Sequence, residues 1–200
     1  MFILEKPYAP ACDKNKKPIL DVLKKVFDKP CEVVEVGSGT GQHAVYFAEN
    51  LPHLIWQPTD QSVYLSGISL WVDAAGLKNI RAPLELDVRQ NDWPVERVEA
   101  LFSANTLHIM SWKSVEIFYE RLGCYLQSGA KFCSYGPFNI NGQFTSESNA
   151  TFDQWLKERD PLSGIRDLEA LVALGEKVGL ILEENRPLPA NNRLLVWRKS

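Results

Sequence analysis

The residues best able to do chemistry as a group are Glu35-Val36-Gly37-Ser38-Gly39-Thr40-Gly41. A β-branched pair, Val33 and Val34, leads into an acid and then into alternating glycines. That run reads as a buried strand that stops abruptly. Ala44, Val45, Phe47 and Ala48 recur at helical spacing, so a helix follows at once. Strand, glycine turn and helix make a nucleotide-binding half-unit. Glycine lets a ligand approach the backbone, and the first helical turn offers unpaired N–H groups. The dinucleotide fingerprint G-x-G-x-x-G is not met, because Gln42 stands where its third glycine belongs. The bland alternative is an ordinary glycine-rich turn. For proton transfer the sequence offers His108 and Tyr135. An unperturbed histidine titrates near ~6.5, which makes His108 the candidate general base. Tyr135 would need a large downward pKa shift, and a carboxylate at Glu147 an upward one.

The elements that must position these residues follow from periodicity. Residues 1–13 read as irregular. Ile19, Val22, Leu23, Val26 and Phe27 mark one helix face, with Pro18 in its first turn and Asp13 or Asn15 as cap. Lysines cover the rest of that helix and read as a solvated face. Pro30 ends it, strand one runs to Val36, and the next helix reaches about Asn50. Strand two covers 54–59 and ends at Asp60, with Pro58 placed at its frayed end. A helix over 62–75 buries Leu65, Ile68, Leu70, Trp71 and Val72 and stops at Gly76. Strand three covers 79–82 and 84–88, broken by Pro83; strand four covers 98–103 and leads to Asn105. Ser111 caps a helix to about Leu126, and strand five covers 131–135. Residues 136–163 have no clean period beyond a short helix near 152–156, and so long a connection reads as functional, a possible lid. A helix over 166–178 and closing strands at 180–184 and 194–198 complete the chain. Such alternation argues for a parallel doubly wound sheet with one antiparallel strand. Ligands of such sheets lie beyond the strand carboxyl ends, where this chain delivers Gly37, Asp60, Asp87 and Asn105.

The E-x-G-x-G-x-G pattern resembles motif I of class I S-adenosylmethionine (SAM) methyltransferases. That resemblance implies a single-domain, Rossmann-like α/β fold over residues 1–200. Its seven-stranded, mostly parallel sheet has order 3-2-1-4-5-7-6, strand seven antiparallel, with helices on both faces. It implies SAM as cofactor and S-adenosylhomocysteine as product. By strand position it also carries over roles. Gly37, Ser38 and Gly39 approach the cofactor, and Asp60 accepts from the ribose hydroxyls. Asp87 accepts from the adenine amino group, and the Val88 N–H donates to a ring nitrogen. Glu35 and Asn105 hold the charged methionine end. The stretch Ala104-Asn105-Thr106-Leu107-His108 lacks the two prolines and the aromatic of adenine-N6 methyltransferases, which argues against methylation of nucleic-acid bases.

A narrower resemblance spans nearly the whole chain. Asn15-Lys16-Lys17-Pro18-Ile19-Leu20, Ser38-Gly39-Thr40-Gly41-Gln42-His43-Ala44, Leu54-Ile55-Trp56-Gln57-Pro58-Thr59-Asp60 and Tyr135-Gly136-Pro137-Phe138 carry it. Glu147-Ser148-Asn149, Gly164-Ile165-Arg166-Asp167 and Pro189-Ala190-Asn191-Asn192 complete it. In these stretches the chain resembles the methyltransferase-like protein 26 family. Ser163 departs from the pattern, which has an aromatic there. The family implies SAM binding and supplies no substrate. The matches outside the cofactor motifs gather where a substrate would lie: Asn15, Asn139, Asn149 and Arg166, with His108 and Tyr135 as catalytic candidates. The acceptor is then a small molecule or a protein side chain. Two rivals stand beside a methyltransferase: a SAM-binding sensor or partner subunit without transferase activity, and an NAD-dependent oxidoreductase, which the glycine spacing disfavours.

Composition sets the remaining bounds. The chain has 200 residues, 45% of them hydrophobic, which suits one domain with an ample core. A net charge of −3 and a pI near 5.7 argue against a broad nucleic-acid footprint. No apolar run approaches bilayer length, and the opening stretch is too short for a signal peptide. Cys12, Cys31, Cys124 and Cys133 form no C-x-x-C pair and only three histidines are present, so no metal site is expected. Reduced thiols and a cytoplasmic location follow as expectations. Composition and motifs do not specify the oligomeric state.

Overall fold

Alternating strands and helices call for a parallel sheet covered on both faces. The computed structural model describes residues 5–200 and has that architecture. Helix α1 (Pro10–Val26) precedes β1 (Glu32–Val36), α2 (Gln42–Asn50), β2 (Ile55–Asp60), α3 (Ser62–Ala75) and β3 (Leu84–Glu85). Then come β4 (Val98–Ala104), α4 (Trp112–Tyr125), β5 (Leu126–Gly136), β6 (Phe138–Asn139) and α5 (Glu147–Arg159). The last elements are β7 (Arg166–Asp167), α6 (Leu168–Lys177), β8 (Leu180–Leu188) and β9 (Asn192–Lys199). The main sheet runs β3-β2-β1-β4-β5-β9-β8, and β6 pairs separately with β7. β9 is antiparallel to both its neighbours, whereas the other sheet strands pair in parallel. With the two short strands set aside, this is the expected order 3-2-1-4-5-7-6. Successive strand residues face opposite ways, so the core divides into two clusters. Leu101, Phe132 and Trp197 belong to one, and Phe102, Cys133 and Val196 to the other.

Several boundaries differ from the sequence expectation for identifiable reasons. Of the stretch expected to be irregular, Met1 to Leu4 lie outside the described residues, and from Pro10 the chain is helical. Pro10 occupies the start of α1, where its missing N–H costs nothing. Pro18 therefore falls inside the helix, and Ala9 stands at the cap rather than Asp13 or Asn15. Pro58 is not frayed: it is buried in β2 and pairs in register with Glu35 of β1. Strand alternation points its missing donor toward β3. There the Gln57 Nε2 donates to Pro58 O at 3.0 Å and Ala82 O at 2.9 Å, replacing ladder bonds. Strand three shrinks to two residues plus a bridge from Trp56 to Ile80. In α3 only Ile68 is buried among the expected core positions.

The largest correction concerns residues 136–163. They hold β6 and the 13-residue helix α5, whose cap Ser146 accepts from the Asn149 N–H at 3.1 Å. The buried positions of α5 are Asn149, Asp153 and Leu156. Two of the three are polar, so the apolar period that reveals a helix is missing.

Candidate active site

The glycine loop is shaped by three different demands. Gly37 leaves the strand at φ +77°, and a Cβ there would stand 2.7 Å from Thr106 Oγ1, so the loop packs tightly against the end of β4. The Gly37 and Ser38 N–H groups both donate to Thr59 O at 3.0 Å. Gly39 has φ +58° and donates its N–H to Asp60 Oδ2 at 2.7 Å. Among the described residues, its chain neighbours aside, nothing lies within 4 Å of where its Cβ would stand. Gly41, at φ +87°, would place a Cβ 3.1 Å from the Ile68 Cα of α3. The third glycine thus serves helix packing, a task the dinucleotide fingerprint gives to a glycine one residue later.

Three connected chambers open along the carboxyl ends of the strands. The glycine-loop chamber, about 340 Å³, is lined by Gly37, Ser38, Gly39, Thr40, His43, Asp60 and Asn105. An outer chamber of about 490 Å³ shares Asp60, Tyr64, Thr106 and Ile109 with it and adds Asp87, Val88, Arg89 and Met110. A third, about 440 Å³, shares Ala11 and Asn105 with the glycine chamber. Lys14, Asn15, Tyr135, Asn149, Phe152 and Asn192 line it. Asn105 stands at the junction in the left-handed region, φ +57°, and its N–H donates to Tyr135 O at 2.8 Å. Volumes of this size are those of small-molecule sites.

Charge in the cleft is set by its surroundings. Burial raises the Asp60 pKa, against N–H donors from Gly39 and Gln61. Arg89 grips Asp87 with Nε at 2.9 Å from Oδ1 and holds its carboxyl below the ordinary range. Glu35 does not line the cleft, contrary to its expected role at the methionine end. It is 1% exposed, accepts from the Trp56 Nε1 at 2.9 Å, and burial pushes its pKa up to about 7.

The catalytic and substrate candidates divide. Tyr135, Asn15 and Asn149 meet in the third chamber. The Asn149 Nδ2 is already committed to Thr145 Oγ1 and Asn191 O. His108 is not in the chambers of Asn105 and Tyr135. It packs edge-on to Phe152 with centroids 5.3 Å apart, in a fourth cavity with Trp155 and Arg159 that shares Phe152 with the third chamber and Tyr64 and Ile109 with the other two. Burial first, then the Arg166 charge, depress its pKa to about 4, which argues against its expected role as general base. Arg166 does not face a chamber. Its guanidinium donates to Leu107 O at 3.1 Å, Leu162 O at 3.0 Å and Met110 O, binding two loops together. Asn139 lies in β6 opposite Asp167, away from the three chambers, with its Oδ1 buried and unpartnered. The sequence reading missed Lys14, Asn192, Phe152 and Arg89; only Arg89, two residues past Asp87, carried a local signal.

Replacing Arg166 by leucine leaves those carbonyls without their shared donor. Charge-assisted bonds are worth about 1.5–3 kcal/mol. The variant is expected to lose about 2 kcal/mol of stability in urea titration, and an unchanged midpoint would contradict the clamp.

A family model described as protein of unknown function (DUF938) matches residues 6–199, almost all of the described chain. The chain belongs to the DUF938 family. Solved structures similar to this DUF938 chain include an O-methyltransferase family protein from Burkholderia thailandensis, at 14% identity and a TM-score of 0.82, covering 95% of this chain and 57% of that one. Human N-acetylserotonin methyltransferase in complex with SAM is similar at 14% identity and a TM-score of 0.79, covering 95% of this chain and 53% of that one. The DUF938 chain thus spans little more than half the length of these structures, and the likeness shows a Rossmann-like methyltransferase fold. Among the described residues, no helix is long and apolar enough to cross a membrane.

Proposed function

We propose that this chain is a SAM-dependent methyltransferase acting on a small molecule or a protein side chain. The observation that carries the reading is the Asp60 carboxylate, shared by the glycine-loop and outer chambers beside the open face of Gly39. The site fits the cofactor. A carboxylate offers about four acceptor positions. Gly39 and Gln61 fill two on Asp60, which leaves two for the paired hydroxyls of a ribose. Asp87 and Val88 suit an adenine edge, with Ile109 and Met110 as apolar walls. Ser38, Thr40 and Asn105 line the chamber for the amino-acid end. When bound, SAM supplies a methyl group already activated on a sulfonium. The task of the protein is then to hold the acceptor in line and exclude water. Asn105 lines both the glycine-loop chamber and the third chamber, and Tyr135 lines the third. The motif likeness to the methyltransferase-like protein 26 family supports the same cofactor.

A second reading, SAM binding without transfer, is favoured by one observation: the described lining of the third chamber holds no carboxylate and no imidazole. Formation of S-adenosylhomocysteine on incubation with a metabolite extract separates the two. Cofactor binding itself is tested by Asp60→Ala. A hydrogen bond to a charged group is worth about 1.5–3 kcal/mol, so calorimetry should show SAM weakened by roughly 10- to 150-fold. A change under about twofold would place the ribose elsewhere.

Helix α5 roofs the third chamber through Asn149 and Phe152, and α1 walls it through Asn15 and Pro18. If both close over the acceptor, their backbone amides should exchange more slowly with S-adenosylhomocysteine bound. Unchanged exchange in both helices would argue against a lid.

A further inference from the structure

The third chamber has a polar wall built by one chain of hydrogen bonds. His43 Nε2 lies 2.7 Å from Asn15 Oδ1. An amide oxygen only accepts, so Nε2 carries the proton and Nδ1 the lone pair. Nδ1 in turn faces the Cys12 thiol, with the sulfur 4.0 Å away. Burial and the Lys16 charge hold this ring neutral, with its pKa lowered to about 4. With Oδ1 fixed on His43, the Asn15 amide nitrogen is free to face the chamber, which Tyr135 and Asn192 also line. Burial raises the Tyr135 pKa, so the phenol keeps its proton and offers its O–H as a donor.

The rest of the lining agrees in sign. Lys14 is the one charged side chain on the described wall, and no Asp, Glu or His joins it. Phe152 and Pro18 add apolar surface. An alcohol or amine acceptor needs a base to take its proton, and this wall holds donors and a cation instead. A carboxylate is already ionised at neutral pH.

Resting on the methyltransferase reading, we infer that the methyl acceptor is the carboxylate of a small organic acid, held by the Tyr135 O–H and the Lys14 ammonium. A lone pair of the carboxylate oxygen forms the new O–CH₃ bond as the methyl–sulfur bond breaks. The bonding pair stays on sulfur, the products are a neutral ester and a neutral thioether, and no proton is released. His43 is a positioning residue, since it acts through Asn15.

Benzoate and benzamide share a shape and differ in charge, so they serve as probes. In ligand-observed NMR titration of the full chain, benzoate should bind at least tenfold more tightly than benzamide. Tyr135→Phe and Lys14→Ala should each weaken benzoate several-fold and leave benzamide nearly unchanged. Lys14 is exposed, so its variant reports even where the buried Tyr135→Phe disturbs folding. Equal affinity for the two probes, or none for either, overturns the inference. A second arm uses SAM with a tritiated methyl group and a small-molecule extract. A methyl ester releases volatile methanol in alkali, whereas ethers and methylamines keep their label. Alkali-stable label, or no label beside intact S-adenosylhomocysteine binding, overturns the carboxylate acceptor. Failure of S-adenosylhomocysteine to bind overturns the methyltransferase reading itself, and with it the acceptor, even where benzoate binds.

Discussion

Gly39→Val should abolish S-adenosylhomocysteine binding, weakening it by at least about 100-fold, in a chain that still folds. Two features of the position lead to this. The residue sits at φ +58°, where a β-branched side chain is strained by about 1–3 kcal/mol. That is a tolerable cost for a domain of ordinary stability. The second feature is space: among the described residues, chain neighbours aside, no atom lies within 4 Å of the Cβ position, so the valine side chain projects into the chamber the ligand must fill. Any backbone shift that relieves the strain also moves the N–H that Asp60 accepts at 2.7 Å. Calorimetry and circular dichroism on one sample decide the matter. A folded variant with unchanged affinity would remove the glycine loop from the site.

That loop was legible in the sequence because its demands are local. Positive φ calls for glycine, an abrupt strand end calls for a β-branched run, and both lie within the nine residues from Val33 to Gly41. The parallel, doubly wound class of the sheet was legible for a similar reason, since alternation of periods survives small errors of boundary, whereas the strand order followed from the resemblance to class I methyltransferases. Asp60, Asp87 and Asn105 could be placed because strand ends in an open sheet all face one edge. Side-chain direction was not legible. Glu35 faces Trp56 and the core, His108 faces Phe152, and Arg166 faces three carbonyls. Each is a chemically able residue near the edge, and only packing decides which way it points. Helix α5 was hidden because polar residues occupy its buried face. The chamber wall of Asn15, Tyr135 and Asn192 joins residues from α1, β5 and β9, far apart in sequence, and no spacing rule links them.

Glu35→Gln should make the chain more stable at pH 8 and leave it unchanged near pH 4. Burial, as the largest cause, raises the Glu35 pKa from the ordinary 4.5 to about 7. Below about pH 4.5 both folded and unfolded chains carry the proton, and the carboxyl costs the fold nothing. Between about 4.5 and 7 the unfolded chain ionises first, so stability falls as pH rises. Above about 7 the loss is complete, on the order of 3 kcal/mol. Glutamine keeps an oxygen for the Trp56 N–H at 2.9 Å and has no charge to bury. Urea unfolding at the two pH values is the measurement. The variant should gain about 1–3 kcal/mol at pH 8 and nothing at pH 4. Parallel behaviour of the two chains across that range would mean that Glu35 is ionised and well solvated in the fold.

The position of β9 has a consequence for how the chain is made. This strand is the last described element in sequence, yet it lies between β5 and β8 and buries Leu194 through Trp197. Until it emerges from the ribosome, β5 presents an unpaired edge and β8 has no neighbour. Strand edges of that kind recruit other chains. A nascent chain therefore carries the open edge of β5 from the time that strand emerges until residues 192–199 follow it. Translation that stalls before residue 192 leaves a product with the glycine loop and the strand-end acids already made, but with the β5 edge open and β8 without its sheet partner. Holding chaperones, rather than any property of the cleft, would govern the fate of that intermediate.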